Sequence, residues 1–310
     1  MTGRGRALQT QVRSTALARP SRPVSVEKPI PSTGFWEWRT RIRSLTMDTM
    51  SAIGSLRGPR VRILDMEFDR LTVAEAADEM EAYVRDGTPR RIACVNVALY
   101  VWARSAPRLW HYYSSCDLLI PDGMGLYYAS RILGDPTPGI TNAVFLMHEL
   151  LERAARNSYR VYVLGTRPEI LERAIARMRR DYPGLQIVGS RDGFFERELE
   201  GPIVAEIKSK QPDVLLIGMS SVRKDEFLER NLSALDVPVC LGVGGALDVV
   251  AGAYRLAPQW VRRTGFEWLY RLIQEPRRLW RRYLTTNTVF AWLLLAAAGR
   301  RLLRPLERRL

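Results

Sequence analysis

Short apolar runs alternate along this chain with stretches whose apolar residues recur every three or four positions. The runs are 61–64 (Val-Arg-Ile-Leu), 91–95 (Arg-Ile-Ala-Cys-Val), 118–120 (Leu-Leu-Ile), 160–164 (Arg-Val-Tyr-Val-Leu), 185–188 (Leu-Gln-Ile-Val), 213–217 (Asp-Val-Leu-Leu-Ile) and 238–243 (Pro-Val-Cys-Leu-Gly-Val). Between them 73–85, 143–155, 169–182, 202–209 and 224–232 carry a helical period. Strands apolar at most positions are buried on both faces, and amphipathic segments between them supply the cover. The pattern predicts an α/β core over 60–254: a Rossmann-like, mostly parallel sheet with helices on both faces. No internal repeat is visible.

The flanks read differently. Residues 1–34 are rich in Arg, Ser, Thr and Pro and hold no aromatic residue, so 1–59 is expected to be a basic and largely disordered extension. Its arginines are followed by no apolar segment of signal-peptide length, so no signal peptide is expected, and Met47 and Met50 offer later starts. Residues 255–310 read as a basic helical appendage. Its longest apolar run, 289–298, is too short to span a bilayer, which takes about 20 residues of helix. Removing 284–310 is expected to weaken binding to an anionic bilayer while leaving Arg271, Arg278 and Arg281 to act on a phosphorylated ligand.

Charge sharpens this division. The net charge is +14, but residues 1–62 hold twelve Lys or Arg against three acidic residues, and 255–310 hold thirteen Arg against three, leaving the middle acidic. Basic ends on an ordinary core point to polyanions: nucleic acid, anionic lipid or a phosphorylated ligand. Cys94, Cys116 and Cys240 are odd in number and widely spaced, which fits a reducing compartment and neither a disulfide framework nor a zinc site.

In parallel sheets ligands sit at the carboxyl ends of the strands. That rule selects Asn96, Asp122-Gly123, Gly165-Thr166, Gly218-Met-Ser-Ser221 and Gly244-Gly245. Glycine between strand and helix lets backbone N–H groups approach a phosphate, although each such glycine is also an ordinary turn. Gly242, Gly244 and Gly245 lead to Asp248 without forming the dinucleotide fingerprint. Asp122 is the candidate general base, a strand-end aspartate being also a common cap or turn former. His111 and His148 lie in helical patterns and read as structural, so a histidine triad or metal site is not expected.

The appendage offers its own constellation. On one continuous helix Arg271, Arg278 and Arg282 share a face with Arg281 beside it, but Pro276 suits the first turn of a new helix and would bend that alignment. Glu267 and Glu275 stand four residues from Arg271, and Glu275 three from Arg278, so salt bridging competes with phosphate binding. Trp280, Tyr283 and Trp292 suit a membrane interface, whereas Trp268 is expected in the core. Any group transfer that expels a diphosphate needs a base for the acceptor and positive charge for the leaving group. With no D-x-D in the chain, arginine is expected to serve without metal or other cofactor.

The D-G-x-G block at 122–125 and the blocks G-V-G-G-x-x-D (242–248), R-x-A-P (255–258) and E-W-L-Y-R (267–271) resemble the WecG/TagA/CpsF family, glycosyltransferase family 26, over about 60–285. The resemblance implies an inverting, metal-independent hexosyltransferase. It would move a sugar (N-acetylmannosamine, N-acetylmannosaminuronate or a hexose) from a UDP-sugar to a polyprenyl-diphosphate-linked saccharide in bacterial exopolysaccharide or cell-wall synthesis. The enzyme would be peripheral, at the cytoplasmic face of the inner membrane, on an anionic surface; a homo-oligomer is left open.

By the same resemblance Asp122 is the base, Asn96 is the asparagine of a T-x-N motif, and Arg271, Arg278 and Arg281 are the appendage arginines. Together with the strand-end rule it assigns the donor to Cys94, Gly123, Gly165, Thr166, Gly218, Ser220, Lys224, Gly244, Gly245 and Asp248. The acceptor diphosphate falls to Arg255, Arg271, Arg278, Arg281 and Arg282. Three departures bear on sugar choice: Cys94 replaces the motif threonine, Thr141 the aspartate of G-x-D, and Lys224 a glutamine, with Arg223 keeping a positive charge. The competing class is a non-catalytic module that binds nucleic acid or anionic lipid through its basic ends. No nucleic-acid motif supports it.

Overall fold

The structure, a computed structural model, describes residues 59–307 apart from 259, 262, 263 and 265. The predicted N-terminal extension lies outside the described residues except for Pro59. The strands are β1 (Arg60–Ile63), β2 (Met66–Asp69), β3 (Arg90–Val95), β4 (Leu118–Pro121), β5 (Arg160–Gly165), β6 (Gln186–Arg191), β7 (Val214–Gly218) and β8 (Val239–Gly242). The helices are α1 (Val73–Asp86), α2 (Val97–Ser105), α3 (Pro107–Ser114), α4 (Met124–Ile132), α5 (Ala143–Asn157), α6 (Pro168–Asp181), α7 (Glu200–Ser209), α8 (Ser221–Leu235), α9 (Ala246–Val250), α10 (Glu267–Gln274) and α11 (Pro276–Glu307).

Six strands form one sheet in the order β4-β3-β8-β7-β5-β6, every neighbouring pair parallel. Alternate residues of each strand enter opposite cores. Val161 and Val163 of β5 join Ile92, Cys94, Leu216 and Leu241 beneath α1, α5 and α6, whereas Tyr162 and Leu164 join Val95, Ile217 and Cys240 beneath α2, α3 and α8. Each such side chain stabilises by about 1.5–3 kcal/mol, and two filled faces are what nearly continuous apolar strands require. The Rossmann-like expectation is borne out.

One run was assigned to the wrong sheet. Residues 61–64 begin an antiparallel hairpin in which Arg60 faces Asp69 and Ile63 faces Met66, with Leu64 turning at φ 57°. The return strand β2 is only four residues long, with Met66 and Phe68 buried and Glu67 exposed. Its Asp69 is buried and accepts the Leu119 N–H at 2.7 Å, tying the hairpin to β4.

The local sequence explains the helix ends. Thr72 and Glu75 close a capping box at the start of α1, and Gly87 ends that helix in the left-handed region. Asn96 caps α2 and Asn142 caps α5. The sequence pattern had left α2 and α4 unassigned and marked α3 only through the helical pattern around His111. In α2, Ala98, Leu99, Tyr100, Val101 and Ala103 are all buried, so no polar face marks its period.

Pro276 opens a new helix as predicted, separating α10 from α11. Helix α11 does not stand off the core. It packs along α2, with Phe290 edge-on to Tyr100 at 5.6 Å and Leu279 and Thr286 buried. Farther along, Leu293 and Leu294 pack on the same core, so removing 284–310 would strip core contacts as well as basic surface. Within the apolar run Trp292 and Leu295 point outward. Among the described residues no helix is long and apolar enough to cross a membrane. Trp268 is not core: it is 40% exposed, edge-on to Tyr283 at 5.9 Å, on a helix that has no buried residue among the described residues.

Candidate active site

All the strand-end residues selected above lie on the carboxyl edge of this one sheet, as parallel pairing demands. Neighbouring strands stand about 4.8 Å apart, so the end of β4, with Asp122, is roughly 10 Å from the end of β8, with Gly244 and Gly245.

Asp122 is fixed by its backbone. Its N–H donates to Val95 O at 2.7 Å, and Gly123, at φ 84°, donates to Thr141 O at 2.8 Å. Thr141 returns the contact through its hydroxyl, which donates to Pro121 O. Asn96 uses its side-chain oxygen to accept the Leu99 N–H at 3.2 Å, which leaves its amide nitrogen 3.5 Å from Asp122 Oδ2. The Ala143 N–H at the start of α5 also donates to the carboxylate. Burial still wins: desolvation raises the Asp122 carboxyl above the usual range, while the Asn96 and Ala143 donors and the charges of Arg271 and Arg282 pull it down. Such a carboxylate can accept a proton from a hydroxyl.

The two arginines come from the appendage. Arg271 on α10 lies over the turn after β8, and a Cβ at Gly245 would stand only 2.7 Å from its Nη2, so a larger residue there would push the guanidinium off the turn. Arg282 on α11 lies on the Trp102 ring at 5.0 Å, and burial depresses its guanidinium, Arg271 and Arg278 adding to the effect. It remains a cation at neutral pH. Neither Arg271 nor Arg282 forms an ion pair with a carboxylate among the described residues. Arg278 does pair, with Glu275 at 3.1 Å. Arg281 is exposed on the Trp280 ring at 5.2 Å, and the backbone of Arg255 is bracketed by the Gln274 amide at 2.9 and 3.0 Å.

Farther along the edge, Thr166 donates its hydroxyl to Asp248 and its N–H to Gly218 O at 3.0 Å. Gly165, at φ 137°, faces Gly218 across β5 and β7, where a Cβ would come within 2.5 Å of the Gly218 backbone. Ser220 precedes α8 without capping it through its side chain. Lys224 does not reach the surface: it is 3% exposed and paired with Asp225, itself 2% exposed and holding the Tyr113 hydroxyl at 2.7 Å. Cys94 is buried between Lys224 and Asp122. Its thiol is pushed far up by burial and further by Asp122, with Lys224 opposing.

The structure thus gathers Asp122, Asn96, Cys94, Arg271 and Arg282 at one end of the edge. Gly165, Thr166, Gly218 and Asp248 meet at the other, with Gly244 and Gly245 between. Arg255 and Arg281 lie outside these groups. Sequence reasoning missed the Ala143 N–H, although the predicted helix start at 143 marked it. It also missed Trp102, which sits in the unassigned α2, and the Tyr113–Asp225 pair. His148 is half-buried, its Nδ1 shares a hydrogen bond with the Tyr182 hydroxyl, and burial lowers it to about 4, in keeping with a structural role. Among the described residues no cluster of three or more His, Cys, Asp or Glu could hold a metal ion, and all three cysteines are free and buried.

An edge that can take a proton at one point and receive an anion a sugar's breadth away is built for group transfer from a phosphorylated donor, which makes the class a transferase. The family model described as Glycosyl transferase WecG/TagA/CpsF family matches residues 61–304, and the chain belongs to that family. It is a glycosyltransferase. One relative, the N-acetylglucosaminyldiphosphoundecaprenol N-acetyl-beta-D-mannosaminyltransferase of Bacillus spizizenii, is 30% identical over 194 residues, 63% of this chain and 74% of its own length. An enzyme of the same name from Staphylococcus aureus strain MW2 is 27% identical over 224 residues, 72% of this chain and 87% of its own.

Proposed function

We propose that the protein transfers a sugar from a UDP-sugar, UDP-N-acetylmannosamine first among candidates, to a polyprenyl-diphosphate-linked saccharide, with inversion and without metal. The observation that carries this is Asp122 at the carboxyl end of β4, held beside Asn96 and within the field of Arg271 and Arg282. The acceptor hydroxyl oxygen attacks the anomeric carbon while its proton passes to Asp122. The bond from that carbon to the UDP oxygen breaks, and its electron pair leaves on the diphosphate. Arg271 and Arg282, with the backbone at Gly244 and Gly245, neutralise that charge. The roughly 10 Å between Asp122 and the β8 turn accommodates one pyranose between base and diphosphate. Thr166, Asp248, Gly165, Gly218 and Ser220 then serve the nucleotide half. Asn96 orients Asp122, whereas Lys224 and Cys94 act from beneath.

The enzyme works at the cytoplasmic face of the membrane, its appendage on an anionic bilayer. The relatives' printed names describe N-acetylmannosaminyl transfer to N-acetylglucosaminyldiphosphoundecaprenol, which supports the same donor and acceptor class here. Purified protein is incubated with UDP-N-acetylmannosamine and a short-chain polyprenyl-diphosphate N-acetylglucosamine, with and without EDTA, and UDP is measured. Release dependent on both substrates and indifferent to EDTA supports the proposal. No release with any UDP-sugar, or a strict need for divalent cation, overturns it.

A further inference from the structure

Arg281 and Arg282 are successive residues on α11, and successive side chains on a helix point about 100° apart. They cannot both face Asp122. Arg281 is exposed and lies on the exposed ring of Trp280 at 5.2 Å. Arg282 turns inward onto Trp102 of α2 at 5.0 Å, with Tyr283 at 5.9 Å, and its Nε is buried without a hydrogen-bond acceptor.

Trp102 is itself half-buried and packed on the core, so its indole plane is a fixed shelf. Helix α2 begins at Asn96, beside Asp122, so one rigid element carries both the residue that touches the base and the shelf that carries the cation. Six residues of helix separate them, about 9 Å. A guanidinium with like-charged neighbours and no carboxylate partner needs something else to keep it in place. An aromatic face does this without neutralising the charge.

We propose that Trp102 is a positioning residue which seats Arg282, and not Arg281, in reach of Asp122 and of the phosphate oxygens bound there. The inference rests on the transfer proposed above. Arg282 is among the charges that hold the Asp122 carboxyl down, against the larger effect of burial. Releasing Arg282 from its shelf therefore lets that carboxyl rise further, and the acid limb of turnover moves to higher pH.

The test uses Trp102→Leu, Trp102→Phe, Arg282→Ala and Arg281→Ala in the full chain, assayed for kcat, KM and pH dependence on a soluble acceptor analogue. Trp102→Leu is expected to lower kcat about tenfold, within the range for losing a cation–π contact, and to move the acid limb upward. Trp102→Phe restores most of both, and Arg282→Ala loses at least ten times more activity than Arg281→Ala.

Binding of inorganic pyrophosphate, read by calorimetry, gives a second measure that does not require transfer. It weakens in Trp102→Leu and Arg282→Ala and much less in Arg281→Ala. An unmoved acid limb in Trp102→Leu, no advantage of Phe over Leu, or equal losses from the two arginine variants would overturn the proposal. A wild-type protein that binds pyrophosphate in this Trp102-dependent way but releases no UDP would instead sink the proposed transfer and leave the shelf standing.

Discussion

Asn96 divides its side chain between two tasks: its oxygen caps α2 through the Leu99 N–H at 3.2 Å, and its amide nitrogen stands 3.5 Å from the carboxylate of Asp122. The cap decides which end of the amide faces the base, because the oxygen is already committed to the helix. Asn96→Asp separates the two tasks. It keeps the cap but replaces a donor with a second negative charge beside Asp122, so the acid limb of the pH–rate profile moves up while the melting temperature changes little. A profile superimposable on the wild type would show that Asn96 acts only as a cap.

Asp122→Asn is expected to reduce turnover at least ~100-fold, the usual scale for loss of a general base. It should also stabilise the fold at neutral pH. Burial raises the folded-state affinity of Asp122 for its proton above that of the unfolded chain. The folded protein therefore holds the proton where the unfolded chain does not, and stability falls as pH rises through that window. Above it the buried charge imposes a constant cost that Asn does not. Thermal melts should show the variant more stable near pH 7, with the advantage vanishing once the pH is below the ordinary carboxylate range. A less stable variant at neutral pH would contradict the assigned burial.

The Lys224–Asp225 pair is almost completely enclosed, with Tyr113 donating to Asp225 at 2.7 Å. Removing one partner leaves a buried charge uncompensated, so Asp225→Asn or Lys224→Met should each destabilise by about 3–5 kcal/mol in denaturant unfolding. The double variant should lose less than the sum of the two. Single losses within the range of surface substitutions would place Lys224 in solvent contact.

Trp280, Leu284, Trp292 and Leu295 are exposed along α11, and Ile273 extends the same apolar character onto α10. Replacing Leu284, Trp292 and Leu295 with serine should reduce pelleting with anionic vesicles while leaving the buried Thr286 and Phe290 contacts intact. Added salt should weaken the wild-type interaction, since each basic side chain near the surface contributes about 1 kcal/mol that ions screen. Unchanged pelleting by the serine variant would place the membrane contact elsewhere.

Much of this molecule was legible before folding was considered. Strand periodicity marked every member of the parallel sheet, and the rule for carboxyl ends then named Asn96, Asp122, Gly165, Gly218 and Gly244 as neighbours of one edge. Pro276 marked the break between α10 and α11, because a ring without an N–H suits a first turn and no interior. These features are written in short-range chemistry: side-chain alternation, caps and proline.

Other features depended on contacts between residues far apart in the chain. The order β4-β3-β8-β7-β5-β6, which sets the spacing between Asp122 and the β8 turn, arises from how the crossover helices pack and leaves no local trace. Helix α2 was illegible because burial on nearly every side erases the polar face that reveals a helical period. Spacing alone could put Arg278, Arg281 and Arg282 near one another, but only the docking of α11 on α2 turns Arg282 inward to Trp102 and leaves Arg281 outside. In the same way the resemblance assigns Lys224 to the donor, and only the enclosing tertiary structure closes it onto Asp225. Sequence determined which residues reach the edge; packing over long range decided which of them face the chemistry.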